Sequence, residues 1–223
     1  MDEGLHGIAA TVVLLRNGAD GLEVLLLERP HDRGSFAGAW VFPGGAVDPE
    51  DAAGLDADSD EAAARVAAVR EVEEETGLVV SASDLVTVSR WTPPSGIPKR
   101  MQTWFFYAPA ASGRVSLHPD EAVAFQWIRP LDALERHAAG ALKLFPPTWV
   151  TLHDLLGDAT VADALARGRA ADLAEFVTRF AGKTVLWHPD VAYDDDSLLD
   201  AEGPRHRLET GAMPWLYSRT RQR

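Results

Sequence analysis

The chain has 223 residues, room for one large domain or for one domain with an appendage. A net charge of −13 opposes nucleic acid and anionic membranes at long range, and the absence of cysteine excludes disulfides and thiolate metal centres. The acidic opening MDEGLHG lacks the basic-then-apolar shape of a signal peptide, and apolar runs such as Ile8–Leu15 are too short to cross a bilayer, so a cytoplasmic protein is expected.

In chain order, Ile8–Leu15 and Glu23–Arg29 are expected as buried strands joined by a hairpin through RNGADG. Ala39–Val47 (AWVFPGGAV) reads as a strand broken at Pro43-Gly44-Gly45, followed by an acidic, alanine-rich loop without periodicity. From Asp60 to Thr76 the pattern is helical, with Ser59 or Asp60 as N-cap and Gly77 as the left-handed residue that stops it. DLVTVSRW, QTWFFYAP and AVAFQWI follow as strands, and Pro130–Gly140 as a helix. Beyond Phe145, PPTWVTLHDLLG and TVADALARGRAADLAEFVTRFAG read as two or three amphipathic helices, with Thr160 as N-cap and Gly182 as the final stop. Strand-like signals return in TVLWHP and WLYSR. The expected division is a core over residues 1–142 and a mostly helical extension over 143–223, with no internal repeat.

The helix Asp60–Thr76 poses the chemical question, because like charges three or four positions apart repel by about 0.2–0.5 kcal/mol per pair. At about 100° per residue, Glu71, Glu74 and Glu75 share an arc of about 100°, while Glu73 lies on the far side. Ala68, Val69 and Val72 form the apolar stripe beside them, so the three acids border the buried face. Hard oxygen donors in that number suit Mg2+ or Mn2+.

Arg70 to Leu78, REVEEETGL, resembles the second half of the Nudix box, R-E-U-x-E-E-x-G-U with U aliphatic, at every fixed position. The upstream Phe42-Pro43-Gly44-Gly45 is similar to the turn these hydrolases carry. Gly45 and Arg70 are twenty-five positions apart where the full box, G-x(5)-E-x(7)-R-E-U-x-E-E-x-G-U, has fourteen, so the loop carries eleven extra residues. Counted back from Arg70, the first box glutamate falls on Ala62, with Glu61 one place off. The resemblance implies an α+β Nudix fold, a mixed β-sheet sandwiched between helices, and hydrolysis of a diphosphate by water with divalent metal. It implies Glu74 and Glu75 as main metal ligands, Glu71 as a further ligand or water-orienting base, and the Gly44 carbonyl as a loop ligand. Arg70 would orient a glutamate, and Glu121 in HPDEAVAFQW is the candidate for one more acid from outside the box.

Leu25–Gly45 also resembles, in part, the signature of coenzyme A diphosphatases, L-L-T-x-R-[SA]-x(3)-R-x(3)-G-x(3)-F-P-G-G. Leu25, Leu26, Arg29, Gly38 and the FPGG turn match, while Leu27, Pro30 and Gly34 depart and Arg33 stands one residue early. Arg29 and Arg33 are the expected substrate clamps, because guanidinium groups bind phosphate oxygens in pairs. The inserted loop and the extension around FPPTWVTLHDL are similar to the acyl-CoA diphosphatase branch, where the extension either lines an acyl channel or covers the sheet. The resemblance thus implies a small nucleoside diphosphate-type substrate, CoA or acyl-CoA first. ADP-ribose, another dinucleotide or a nucleotide sugar is the second reading, and a non-catalytic sensor the third. Neither nucleic acid nor membrane is an expected partner, and a homodimer is compatible, though no stretch marks an interface. AGKT at Ala181–Thr184 lacks the first glycine of a phosphate loop, and DADSDE lacks the glycine of a calcium loop.

Overall fold

The computed structural model describes residues 5–32, 36–56, 59–111 and 113–220. Eight strands make a mixed sheet: β1 (Gly7–Gly18), β2 (Gly21–Glu28), β3 (Trp40–Val41), β4 (Gly44–Ala46), β5 (Val86–Thr92), β6 (Met101–Pro109), β7 (Ala124–Ile128) and β8 (Ala174–Val177). The order is β3-β2-β1-β6-β5-β8, with β4 also on β1 and β7 on β2. β1 and β2 form the expected hairpin, closing at Gly18 opposite Gly21, and β1 runs parallel to β6 through the centre.

Both faces of this sheet are covered, which is why its central strands read as nearly continuous apolar runs. Ala10, Val12, Leu14, Leu25, Leu27, Trp104 and Phe106 face helix α1 (Asp60–Thr76). The buried side of α1 is mostly alanine (Ala63, Ala64, Ala67, Ala68), so the helix axis lies close to the sheet. Val13, Leu15, Val24, Leu26, Phe105 and Tyr107 point the other way. They pack on α2 (Pro130–Ala138), α3 (Pro146–Asp154) and α4 (Val161–Ala170) through residues such as Ala133, Trp149, Leu152 and Leu165. The boundaries of α1 fall where the sequence places them, and Gly77 is left-handed (φ 68°) with its N–H on the Glu73 carbonyl. Thr160 caps α4 in a reciprocal pair with Asp163.

The extension is less helical than expected. α4 stops at Ala170, β8 then joins the main sheet parallel to β5, and β9 (Arg179–Ala181), β10 (Thr184–Leu186), β11 (His206–Glu209) and β12 (Leu216–Arg219) build a second, antiparallel sheet. Gly182 (φ 59°) is the turn of the β9–β10 hairpin, not a helix stop. The misleading signal was helical spacing in Leu173, Phe176, Val177 and Phe180, of which only Phe176 is buried. Its ring lies flat on Trp91 at 3.8 Å and edge-on to Trp187, and that packing on β5 overrides the local period. Asp190 and Arg207 pin the second sheet with a buried bidentate pair at 2.5 and 2.8 Å. The α3–α4 pair covers the sheet; its large apolar side chains are spent in the core.

Candidate active site

The acids of α1 meet the β3–β4 turn at one end of the sheet. Gly44 sits at φ 151°, and a β-carbon there would run into the Ala10 carbonyl on β1. A β-carbon on Gly45 would run into the Glu71 carboxylate. The paired glycines are therefore what lets the backbone reach the acids. The Gly44 N–H donates to Glu75 Oε2 at 2.9 Å.

Arg70 is the organiser of the helix side. It donates to Glu71 Oε1 (2.9 Å), Glu74 Oε2 (3.0 Å), the Ala46 carbonyl (3.0 Å) and both carboxylate oxygens of Asp51 (3.2 and 2.8 Å). Arg29, from the end of β2, organises the other side, donating to Glu121 Oε2 at 2.8 Å and Glu75 Oε1 at 3.3 Å. Glu121 is brought there because its loop is tied to the end of α1: Ser116 N–H donates to the Thr76 carbonyl and His118 N–H to that of Glu75.

Glu75 is only 3% exposed; burial pushes its carboxyl up to about 7, against the Gly44 N–H and Arg29, with Glu71 and Glu121 adding repulsion. Glu71 is raised for the same first reason, with Arg70 opposing. Glu74 is the exposed member. Among the described residues no three acidic or histidine side chains converge as around an ion; Arg29 draws Glu75 and Glu121 to itself, and Arg70 draws Asp51, Glu71 and Glu74. The donor chemistry nevertheless suits a hard divalent cation: carboxylate oxygens, desolvated and mutually repelling, beside a turn without side chains.

Most of the sequence candidates thus assemble: Gly44, Arg70, Glu71, Glu74, Glu75, Glu121 and Arg29. Arg33 lies outside the described residues. Arg29 holds carboxylates here, where the sequence reading had it clamping substrate. Glu61 does not join; it pairs with Arg65 (2.9 Å) and Thr87 (2.5 Å) at the far end of α1. Asp51 is the residue the sequence reading missed. It is 5% exposed, and Arg70, chiefly, holds its carboxyl below the usual range. The signal was available: counted forward from Gly45, G-x(5)-E places the first box acid on position 51, an aspartate, and the eleven extra residues follow it.

Replacing Arg29 with methionine separates the two roles of that side chain. Arg29 lowers the Glu75 pKa, so its loss raises that pKa further, and the acidic limb of the rate profile moves to higher pH, with recovery above it. A phosphate clamp would instead raise KM at every pH. Steady-state rates from about pH 6 to 9 separate the outcomes.

The likeness to known proteins makes this arrangement that of a hydrolase acting on diphosphates, a class that generally uses divalent metal ions. A NUDIX domain matches residues 5–147, and the chain belongs to that family. It is similar to a NUDIX hydrolase of Alicyclobacillus acidocaldarius, with 26% identity and a TM-score of 0.65 over 75% of this chain and 96% of that one. It also resembles the NUDIX domain of Shewanella oneidensis NrtR, solved with ADP ribose, at 17% identity and a TM-score of 0.50 over 75% of this chain and 90% of that one, a likeness of fold alone. No curated protein matches the chain. No helix among the described residues is long and apolar enough to cross a membrane.

Proposed function

We propose that the chain hydrolyses CoA or an acyl-CoA, by water attack on the diphosphate, to (acyl-)phosphopantetheine and adenosine 3′,5′-bisphosphate. The observation behind the chemistry is the junction of Glu71, Glu74 and Glu75 with the Gly44–Gly45 turn. The CoA reading rests on the Leu25–Gly45 signature, whose Arg29 and FPGG turn lie at that junction. Mg2+ or Mn2+ held by Glu71, Glu74, Glu75 and the Gly44 carbonyl would neutralise diphosphate oxygens and acidify a bound water. Arg70 fixes the rotamers of Glu71 and Glu74, and Asp51 fixes Arg70. Where Glu71 does not ligate the ion, it would serve instead as the base that orients the attacking water and takes its proton. Arg29 sets Glu121 beside Glu75 as the acid from outside the box.

Product analysis with Mg2+ or Mn2+ tests the reading, with CoA, an acyl-CoA, ADP-ribose and a dinucleoside polyphosphate side by side. Release of adenosine 3′,5′-bisphosphate from CoA, with little product from the others, is expected. Preference for ADP-ribose or the dinucleotide would overturn the CoA assignment and leave the acids in their role. No turnover of any of them would favour a sensor.

A further inference from the structure

A cavity of about 150 Å3 lies on the opposite face of the sheet from α1, between β5, β6, α3, α4, β8 and β12. That is several times the volume of one water, about 30 Å3 in the liquid. Its back wall is the Trp91–Phe176 stack and Tyr107, all nearly inaccessible to solvent, and its mouth lies at the exposed Asp172 and Arg219.

Two opposite charges face this space without pairing. Asp154 is the last residue of α3, where the helix dipole disfavours an anion. Burial raises its carboxyl, with the charges of Arg219, His153 and Arg167 opposing. The Asp154 carboxylate forms no hydrogen bond and no ion pair within 4 Å among the described residues, and neither does Arg219 form an ion pair. Arg219 rests instead near the Phe176 ring, 5.9 Å from its centroid, and beside the Tyr217 hydroxyl. The third charge, Arg167, is already satisfied by Asp158 at 2.5–3.1 Å. A fold gains nothing from holding an unpaired, poorly solvated carboxylate at a helix C-terminus; a ligand that supplies the missing partners does.

We propose that this cavity is a second small-molecule site that binds a zwitterion of α-amino-acid size, its ammonium on Asp154, its carboxylate on Arg219 and its apolar side chain against the Trp91–Phe176–Tyr107 wall. An acid and an arginine that line one cavity without forming an ion pair, beside an apolar wall, are complementary to a molecule bearing both charges and a short hydrocarbon or ring. The site shares no residue with the α1 acids, so it stands or falls apart from the diphosphatase reading.

The test is thermal denaturation and isothermal titration of the full chain with L-leucine, L-phenylalanine and L-glutamine, using Asp154→Asn and Arg219→Met variants. At saturating concentration, L-leucine or L-phenylalanine should raise the midpoint by about 2–4 °C in the native chain, and L-glutamine, with its polar side chain, by less. Each variant should weaken that binding about tenfold or more. Asp154→Asn without ligand should melt at or above the native temperature, because it removes an unpaired charge, so a folding defect cannot mimic the loss. Phenylpropionate and phenethylamine, each lacking one of the two charges, should bind more weakly than phenylalanine. No stabilisation by any of the amino acids, or stabilisation that survives in both variants, would overturn the proposal.

Discussion

Glu75→Gln is expected to lower kcat about a thousandfold at about pH 8 and at the same time to stabilise the fold. The kinetic half follows from its position: Glu75 is the acid that touches the glycine turn, Arg29 and, through them, Glu121. The stability half follows from linkage. Its pKa of about 7 in the folded chain exceeds the ordinary 4.5, so between those values the folded state holds more protons than the unfolded one. Stability therefore falls as pH rises through that window, and the ionised carboxylate costs up to about 3 kcal/mol above it. Glutamine removes that term, while Arg29 loses one partner, leaving a net gain of about 1–2 kcal/mol, or about 2–6 °C. At about pH 5 the difference should vanish. Melting curves across pH for both proteins check it, and a variant less stable at pH 8 would contradict the burial of Glu75 as an acid under strain.

Asp51→Ala should damage both stability and turnover. Arg70 would lose the partner that accounts for two of its five hydrogen bonds, and a partly buried guanidinium would be left with Glu71, Glu74 and the Ala46 carbonyl. A loss of about 2–4 kcal/mol in stability is expected from breaking a largely buried pair. A further fall in kcat of about 10–100-fold is expected from misplaced carboxylates. Asp51→Glu should recover a large part of the turnover, because it restores a carboxylate to Arg70. Chemical denaturation and kcat measured on both variants decide it. An Asp51→Ala protein with native kcat would show that Arg70 positions the helix acids without help from the loop.

The acid helix was legible because everything that defines it is local: a 3.6-residue period, three glutamates on one arc and a glycine able to adopt the left-handed stop. The hairpin and the central strands were legible for the same reason, each with its turn or its apolar run in view. Asp51 was hidden because its role is long-range. The loop DPEDAAGLDADSD has no period, and only counting forward from Gly45 separates its anchor from its extra residues. Arg29 was identified as important, but its carboxylate partners were not legible, since nothing local shows that β2 ends opposite Glu75. The span from Leu173 to Phe180 failed through a true conflict. Its apolar residues fit a helix, and the Trp91 ring that claims Phe176 is more than eighty positions away.

Mn2+ titration followed by electron paramagnetic resonance tests whether the α1 acids are the metal site. At about pH 8 the native chain should bind Mn2+ saturably, and Glu75→Gln and Glu74→Gln should each weaken binding about tenfold or more. Affinity in the native chain should fall as pH drops below 7, where Glu75 takes up its proton. Equal Mn2+ affinity in the native chain and both variants would place the ion elsewhere and rule out the α1 acids as its ligands.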